Sequence, residues 1–324
     1  MRAVGETEPD VAATALAGLR AYQDAPPAAP ARDCPVIAQA RSAQLRDYGG
    51  MGPPAVLLPS LINPPRILDL DAQTSLAVAI ADMGRRVLLI DWGPALDRSD
   101  LSVAGHVETL LLPLLGALDE PPVLIGYCLG GTMAIAAAGH VPCAGLVTLA
   151  SPWDFDGYPD DARAALRGLW ARAEPSARSL GMLPIEILQA AFWSLDRERT
   201  VRKFALFAGL DPASPTARRF VALEEWANEG EPLPYPAARE LIDELFGENV
   251  SGLGCWTVAG RAASATAAVP TLHVTAHDDR IAPAAAAPSG PRLDLAAGHV
   301  GMVVGSARTR LHDALAGFLS SAVP

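Results

Sequence analysis

From about residue 55 onward the chain is punctuated by short, unbroken apolar runs. Ala55–Leu58 (AVLL), Val87–Ile90 (VLLI), Val123–Tyr127 (VLIGY), Leu146–Ala150 (LVTLA) and Thr271–Ala276 (TLHVTA) stand out against polar flanks. Runs of this length without polar alternation are the mark of strands buried on both faces. Between the first four, the segments Ala72–Met83, Val103–Leu118 and Gly131–Gly139 have the length and spacing of helices. Arg292–Leu295 is a further short candidate strand. Ala307–Leu319 then places Leu311, Leu315, Phe318 and Leu319 at helical spacing and closes the pattern. Such alternation predicts an α/β fold, a mostly parallel sheet covered by helices on both faces.

The fourth and fifth apolar runs are separated by about 120 residues, far beyond an ordinary connection of a few residues. Ala162–Arg172, Glu186–Phe207 and Pro236–Phe246 look helical there, broken by Pro175, Pro184, Pro212 and Pro232, and five of the six tryptophans (153, 170, 193, 226, 256) fall in this stretch. It reads as a helical cap over the carboxyl ends of the strands, where open α/β sheets place their sites. Its tryptophans and leucines are read first as packing, with a dimer surface or an acyl pocket as alternatives. At the other end, Pro9–Tyr22 sets Val11, Leu16 and Leu19 roughly on one helix face, and Asp24–Asp33 (DAPPAAPARD) is a proline-rich linker. The expected organisation is residues 1–48 as N-terminal helix and linker, 49–152 as the first part of the core, 153–260 as the cap, and 261–324 as the second part of the core.

Composition narrows the chemistry. Half of the 324 residues are hydrophobic and 19% are charged, which excludes global disorder. A net charge of −11 disfavours nucleic-acid binding through bulk charge. Four scattered cysteines (Cys34, Cys128, Cys143, Cys255) without CxxC spacing fit neither a disulfide scaffold nor a metal site. Glu6, Glu8 and Asp10 stand where a signal peptide needs an apolar run, and no apolar stretch reaches the ~18 to 20 residues of a spanning helix. A cytoplasmic setting without a transmembrane segment is expected.

The chemical signal is Gly126-Tyr127-Cys128-Leu129-Gly130-Gly131, which follows a predicted strand and opens a predicted helix. A G-x-C-x-G-G match arises by chance from this composition only about 0.003 times per chain. The chain must turn from strand to helix in one step, so the central residue is strained and its neighbours two places away must be glycine. A cysteine at that apex is a nucleophile, with the helix N-terminus favouring its thiolate and the Leu129 N–H directed where an oxyanion would form.

A nucleophile needs a base, and the base an orienting acid, in the chain order nucleophile, acid, histidine. His277-Asp278-Asp279 follows directly on the strand Thr271–Ala276, and Ala297-Gly298-His299-Val300-Gly301 follows Arg292–Leu295. Order and placement give Cys128, then Asp279 or Asp278, then His299; His277 is a weaker rival base. His106, His140 and His312 are read as surface or packing residues, and His273 as core. A second oxyanion donor is expected from the loop Pro59–Pro65, at the Leu61 or Ile62 N–H.

Several of these segments resemble the polyhydroxyalkanoate synthases, cysteine-dependent polymerases of the α/β-hydrolase fold. GYCLGGT (126–132) is similar to the family's lipase-like box, LPSLINPPRILDL (58–70) and SLAVAIADMGRRVLLIDW (75–92) to its segment after the first core strand, DDRIAP (278–283) to its acid loop, and AGHVGMVVGS (297–306) to its histidine loop. The family's usual lysine and tyrosine after the Ile-Asn pair are replaced by Pro64-Pro65-Arg66. The resemblance implies an α/β-hydrolase fold and an acyltransferase that moves (R)-3-hydroxyacyl groups from coenzyme A thioesters to a growing polyester through a Cys128 acyl-enzyme. In that scheme His299 is the base toward the thiol, Asp279 either orients that histidine or helps activate the hydroxyl, and the CoA thioester is a substrate, with no bound cofactor or metal. It also implies a partner synthase subunit or a polyester granule, and a homodimer is expected. The alternatives are a hydrolase (thioesterase, esterase or depolymerase) using the same three residues with water as acceptor, and a non-enzymatic binding module such as a degenerate granule-associated protein, against which the intact Cys128, Asp279 and His299 set argues.

Overall fold

The computed structural model describes residues 8–322 except 196 and 267, and leaves aside the side chains of 192–195, 197, 199 and 200. Within the reading above, Glu6, the start of the N-terminal segment and the side chain of Trp193 lie outside the described residues. The chain divides into two compact units, one of residues Met1–Arg32 with Glu186–Gly230, the other of Asp33–Ile185 with Glu231–Pro324.

The larger unit is built on an eight-stranded sheet. Its strands are β1 (Val36–Ala40), β2 (Ala43–Gly49), β3 (Pro54–Leu58), β4 (Arg86–Asp91), β5 (Val123–Tyr127), β6 (Gly145–Leu149), β7 (Thr271–Ala276) and β8 (Arg292–Leu295). They lie in the order β1-β2-β4-β3-β5-β6-β7-β8. β2 runs antiparallel to both β1 and β4, and every pair from β4 to β8 is parallel. All residues of β3, β5 and β6 are buried, as continuous apolar runs require.

The connections decide where the site lies. From β3 the chain moves outward to β4, and from β5 it moves the opposite way to β6. The carboxyl ends of the adjacent β3 and β5 therefore form the switch point at which open α/β sheets bind ligands. The helix Leu129–Ala138 that leaves β5 is buried from Leu129 to Ala137, which its alanines and glycines make feasible.

Three details differ from the sequence reading. The sheet begins at Val36, inside the stretch assigned to the N-terminal helix and linker, because β1 and β2 form an edge hairpin. In β2 only Ala43 and Leu45 are buried, so no continuous apolar run marks it. Pro175 does not break its helix, which runs from Asp160 to Leu180. A proline forgoes one backbone bond, but the buried stripe Trp170, Ala173 and Ala177 continues on both sides of it. The segment taken as one cap is divided, since 186–230 clusters with the N-terminal residues while 153–185 and 231–260 belong to the sheet unit.

The smaller unit is helical, with Pro9–Gln23, Arg197–Phe207 and Pro215–Asn228 as its main elements. Gly18 lies so close to the Phe204 carbonyl that a Cβ there would overlap it. Tyr22, Phe204, Phe207 and Phe220 form its aromatic cluster, with Phe207 and Phe220 stacked at 4.3 Å.

Candidate active site

β5 ends at Tyr127 and the next residue is already the N-cap of the following helix. Cys128 makes that turn with φ 55° and ψ −130°, a conformation only glycine adopts without strain. The strain is held from both sides, the Cys128 N–H donating to Leu149 O at 2.9 Å and its carbonyl accepting from Gly131 N at 2.9 Å. A Cβ on Gly126 would overlap the Gly131 backbone, one on Gly130 the carbonyls of Leu58 and Pro59, and one on Gly131 the side chain of Ser151. Gly126 and Gly130 are thus required by close backbone approach, and Gly131 by the Ser151 side chain.

This packing makes a stability prediction. Gly131→Ala is expected to destabilise the protein by about 1–3 kcal/mol through overpacking. Ser151→Gly in that background should recover part of the loss. Alone it should destabilise, because Ser151 Oγ donates to Gly126 O and Leu149 O at 3.3 and 3.1 Å. Denaturant unfolding of the four proteins of this cycle measures the coupling.

Asp279 and His299 come together beside the elbow. His299 Nδ1 donates to Asp279 Oδ2 at 2.7 Å, with both residues buried. The other carboxylate oxygen accepts the N–H groups of Ile281 and Ala282 at 2.8 and 2.9 Å. The two loops are also tied through their backbones, His277 N to Leu295 O at 2.8 Å and Asp278 N to Ala297 O at 2.9 Å. Of the two aspartates left open by the sequence, Asp279 meets the imidazole. The exposed Asp278 meets the equally exposed His277 at 3.2 Å, which removes His277 from the site as well.

With its Nδ1 proton committed to Asp279, His299 has Nε2 for the sulfur. Burial alone would lower the imidazolium pKa. The negative charges of Cys128 and Asp279, with hydrogen bonds to both, outweigh it and raise the pKa to about 10. His299 can therefore hold its proton beside the Cys128 sulfur.

Two tyrosines that sequence reasoning passed over complete the surroundings. Tyr127 packs its ring 5.0 Å from that of His299 and donates to the His299 carbonyl at 3.3 Å. Tyr158 donates to Ile281 O at 2.9 Å, which steadies the acid loop. Burial, followed by the charges of Cys128 and Asp279, pushes both phenols well above their ordinary range, so both stay neutral. Tyr127 could have been noticed as the residue inside the glycine motif; Tyr158 carries no sequence signal.

The loop after β3 supplies Leu61 and Ile62, both buried. The Ile62 N–H is turned to Ser60 Oγ at 3.5 Å. The N–H groups of Leu61 and Leu129 donate to no acceptor among the described residues. The other three cysteines stand outside the elbow: Cys34 and Cys143 are buried, and Cys255 is exposed. His273 is core, bonded to Thr148 Oγ1 at 2.8 Å. His106, read as surface or packing, is fully buried and hydrogen-bonded. No group of three or more histidine, cysteine or acidic side chains that could hold a metal ion occurs among the described residues. No helix among them is long and apolar enough to cross a membrane.

No family model matches the chain. The poly(3-hydroxyalkanoate) polymerase subunit PhaC of Haloferax mediterranei is 26% identical over 280 residues, covering 78% of this chain and 55% of that protein. The chain thus spans about half the length of that relative. The PhaC polymerase subunit of Allochromatium vinosum is 24% identical over 290 residues, covering 82% of this chain and 80% of its own length. Among solved structures, a lipase in its open form superposes with a TM-score of 0.56 over 90% of this chain and 99% of its own, at 16% identity, a likeness of fold. The chain is thus similar in sequence to polyhydroxyalkanoate polymerase subunits, and its architecture is the α/β fold of the solved lipase.

Proposed function

We propose that this enzyme transfers (R)-3-hydroxyacyl groups from coenzyme A thioesters to the hydroxyl end of a growing polyester, with Cys128 as nucleophile, His299 as base and Asp279 as its orienting acid. The observation that carries the reading is a cysteine at the strained elbow, backed by the His299–Asp279 pair, in a relative of polymerase subunits.

The sulfur attacks the thioester carbonyl, and the resulting oxyanion is held by the N–H groups of Leu129 and Leu61, the latter favoured over Ile62 because its hydrogen is uncommitted. Collapse breaks the bond to the CoA sulfur, which leaves with the proton of His299. The acylated Cys128 no longer carries negative charge, so the main influence raising the imidazole pKa is gone and His299 becomes a neutral base. It takes the proton of the incoming hydroxyl, whose oxygen attacks the acyl carbonyl, and the Cys128 sulfur departs. A thioester intermediate suits this sequence, because exchange with CoA is nearly balanced while transfer to a hydroxyl runs downhill. A partner synthase subunit, a granule surface and a homodimer belong to the same reading.

Incubation with (R)-3-hydroxybutyryl-CoA, with and without polyester granules, tests it. Free CoA together with polymer is the expected result. Free CoA with soluble hydroxy acid would replace transfer by hydrolysis, and no CoA release above that of the Cys128→Ala protein would overturn both.

A further inference from the structure

The loop after β3 is clamped at its carbonyls from three other segments. Trp92 Nε1 donates to Pro59 O at 3.1 Å, Arg98 Nη2 to Leu61 O at 3.4 Å, and the Glu231 N–H to Ile62 O at 3.0 Å. A peptide is planar, so a bond to a carbonyl also orients the amide that follows it. The bonds to Pro59 O and Leu61 O set the planes on both sides of the Ser60–Leu61 peptide. That peptide carries the uncommitted Leu61 N–H.

Arg98 is the unusual member of this clamp. Only 2% of it is exposed, yet it is a cation. Its Nε donates to Gly93 O at 3.3 Å, its Nη1 faces His106 Nε2 at 3.1 Å, and its Nη2 also reaches Glu231 Oε2 at 3.4 Å. His106 Nδ1 gives its proton to Ser102 O at 2.6 Å, which leaves Nε2 as the acceptor that a guanidinium requires. Burial keeps this histidine neutral, with its pKa lowered to about 4. Glu231 Oε2 accepts in addition from Ala95 N at 2.6 Å. One residue is thus counter-ion to Arg98 and, through its own N–H, the third clamp on the loop.

A buried guanidinium with a half-exposed counter-ion is a poor way to add stability, since apolar packing of the same volume does at least as well. A positive charge directed at the carbonyl of a peptide has a different effect: it orients that peptide and adds a favourable potential where negative charge develops nearby. We infer that Arg98, oriented by His106 and Glu231, is a positioning residue that aims the Leu61 N–H at the oxyanion formed during acylation of Cys128. The inference rests on the acyl-enzyme reading, but only on its tetrahedral oxyanion, which transfer and hydrolysis share.

Two reactions of the Cys128 sulfur separate positioning of the oxyanion from support of the nucleophile. Iodoacetamide alkylates it by displacement of iodide, with no oxyanion. p-Nitrophenyl acetate acylates it through a tetrahedral oxyanion, releasing p-nitrophenolate. In the full-length chain, Arg98→Met is expected to slow acylation about 10- to 100-fold while alkylation stays within about twofold. Arg98→Lys, a point charge in place of a fork, should fall between. Glu231→Gln, which keeps the backbone clamp but removes the counter-ion, should lower the ratio of acylation to alkylation about threefold. If Arg98→Met does not fold by circular dichroism, the lysine and glutamine variants carry the same ratio test. An unchanged ratio in the folded variants, or a parallel fall of both reactions, overturns the inference. A wild-type protein that is alkylated but never acylated fails earlier, because the acyl-enzyme reading itself is then lost.

Discussion

Cys128→Ala is expected to reduce CoA release from (R)-3-hydroxybutyryl-CoA by about 10³- to 10⁶-fold, the range seen when a nucleophile is removed from an otherwise intact triad. No other thiol stands at the elbow among the described residues, because residues 126, 130 and 131 are glycines and the other three cysteines lie outside it. The alanine protein should fold normally, since its Cβ meets the same strain at φ 55° as the native residue. Cys128→Gly makes the complementary point. Relief of strain is worth about 1–3 kcal/mol. The added freedom of the unfolded chain costs about 0.5–1 kcal/mol. The glycine protein should therefore be inactive yet more stable than wild type by up to about 2.5 kcal/mol, the mark of a residue kept in place for chemistry against stability. Denaturant unfolding and CoA release, measured on the same preparations, check both halves. A Cys128→Gly protein less stable than wild type would show that the elbow is not strained.

Much of this site was legible because its physics is local. A strand buried on both faces must be continuously apolar, so β3 to β7 stood out, and a one-step turn demands glycine at fixed offsets, so the elbow stood out. What escaped depended on long-range packing. Asp278 and Asp279 are adjacent in a turn, and only the path of the backbone sends one to His299 and the other to solvent. The hairpin strands β1 and β2 are largely unburied and carry no continuous buried apolar run. The helix Pro215–Asn228 had its signal, Ser214 as N-cap accepting from Ala217 N and proline at the first position, but it lay in a stretch read as broken by Pro212. Arg98 and His106 form a buried polar pair, where the sequence left His106 as surface or packing and gave no signal for Arg98. Tyr158 approaches the acid loop across more than a hundred residues of chain.

Asp279→Asn separates charge from shape. The amide is the same size, and its carbonyl can still accept from Ile281 and Ala282, so the acid loop should persist. What changes is the partner offered to His299 Nδ1: an amide NH₂ in that place favours the tautomer with the proton on the nitrogen that must serve Cys128. A loss of about 10² to 10⁴ in kcat is expected, with little change in KM. The pH dependence carries an independent signature. In the wild type the imidazolium persists to about pH 10, against burial, because of the charges at Cys128 and Asp279. CoA release in the acylation step, which needs that proton, should decline as pH rises through about 10. Without the Asp279 charge the decline should begin at lower pH. Stability follows with a definite sign, because the folded pKa lies above the unfolded value of about 6.5. The contribution is complete below about pH 6.5. It is lost progressively as pH rises toward about 10. The wild type should therefore lose more unfolding free energy than Asp279→Asn across that window. Single-turnover CoA release and denaturant unfolding, each from pH 6 to 10.5, measure the two effects. Superimposable pH profiles for the two proteins would remove Asp279 from the relay and leave Cys128 and His299 to act as a dyad.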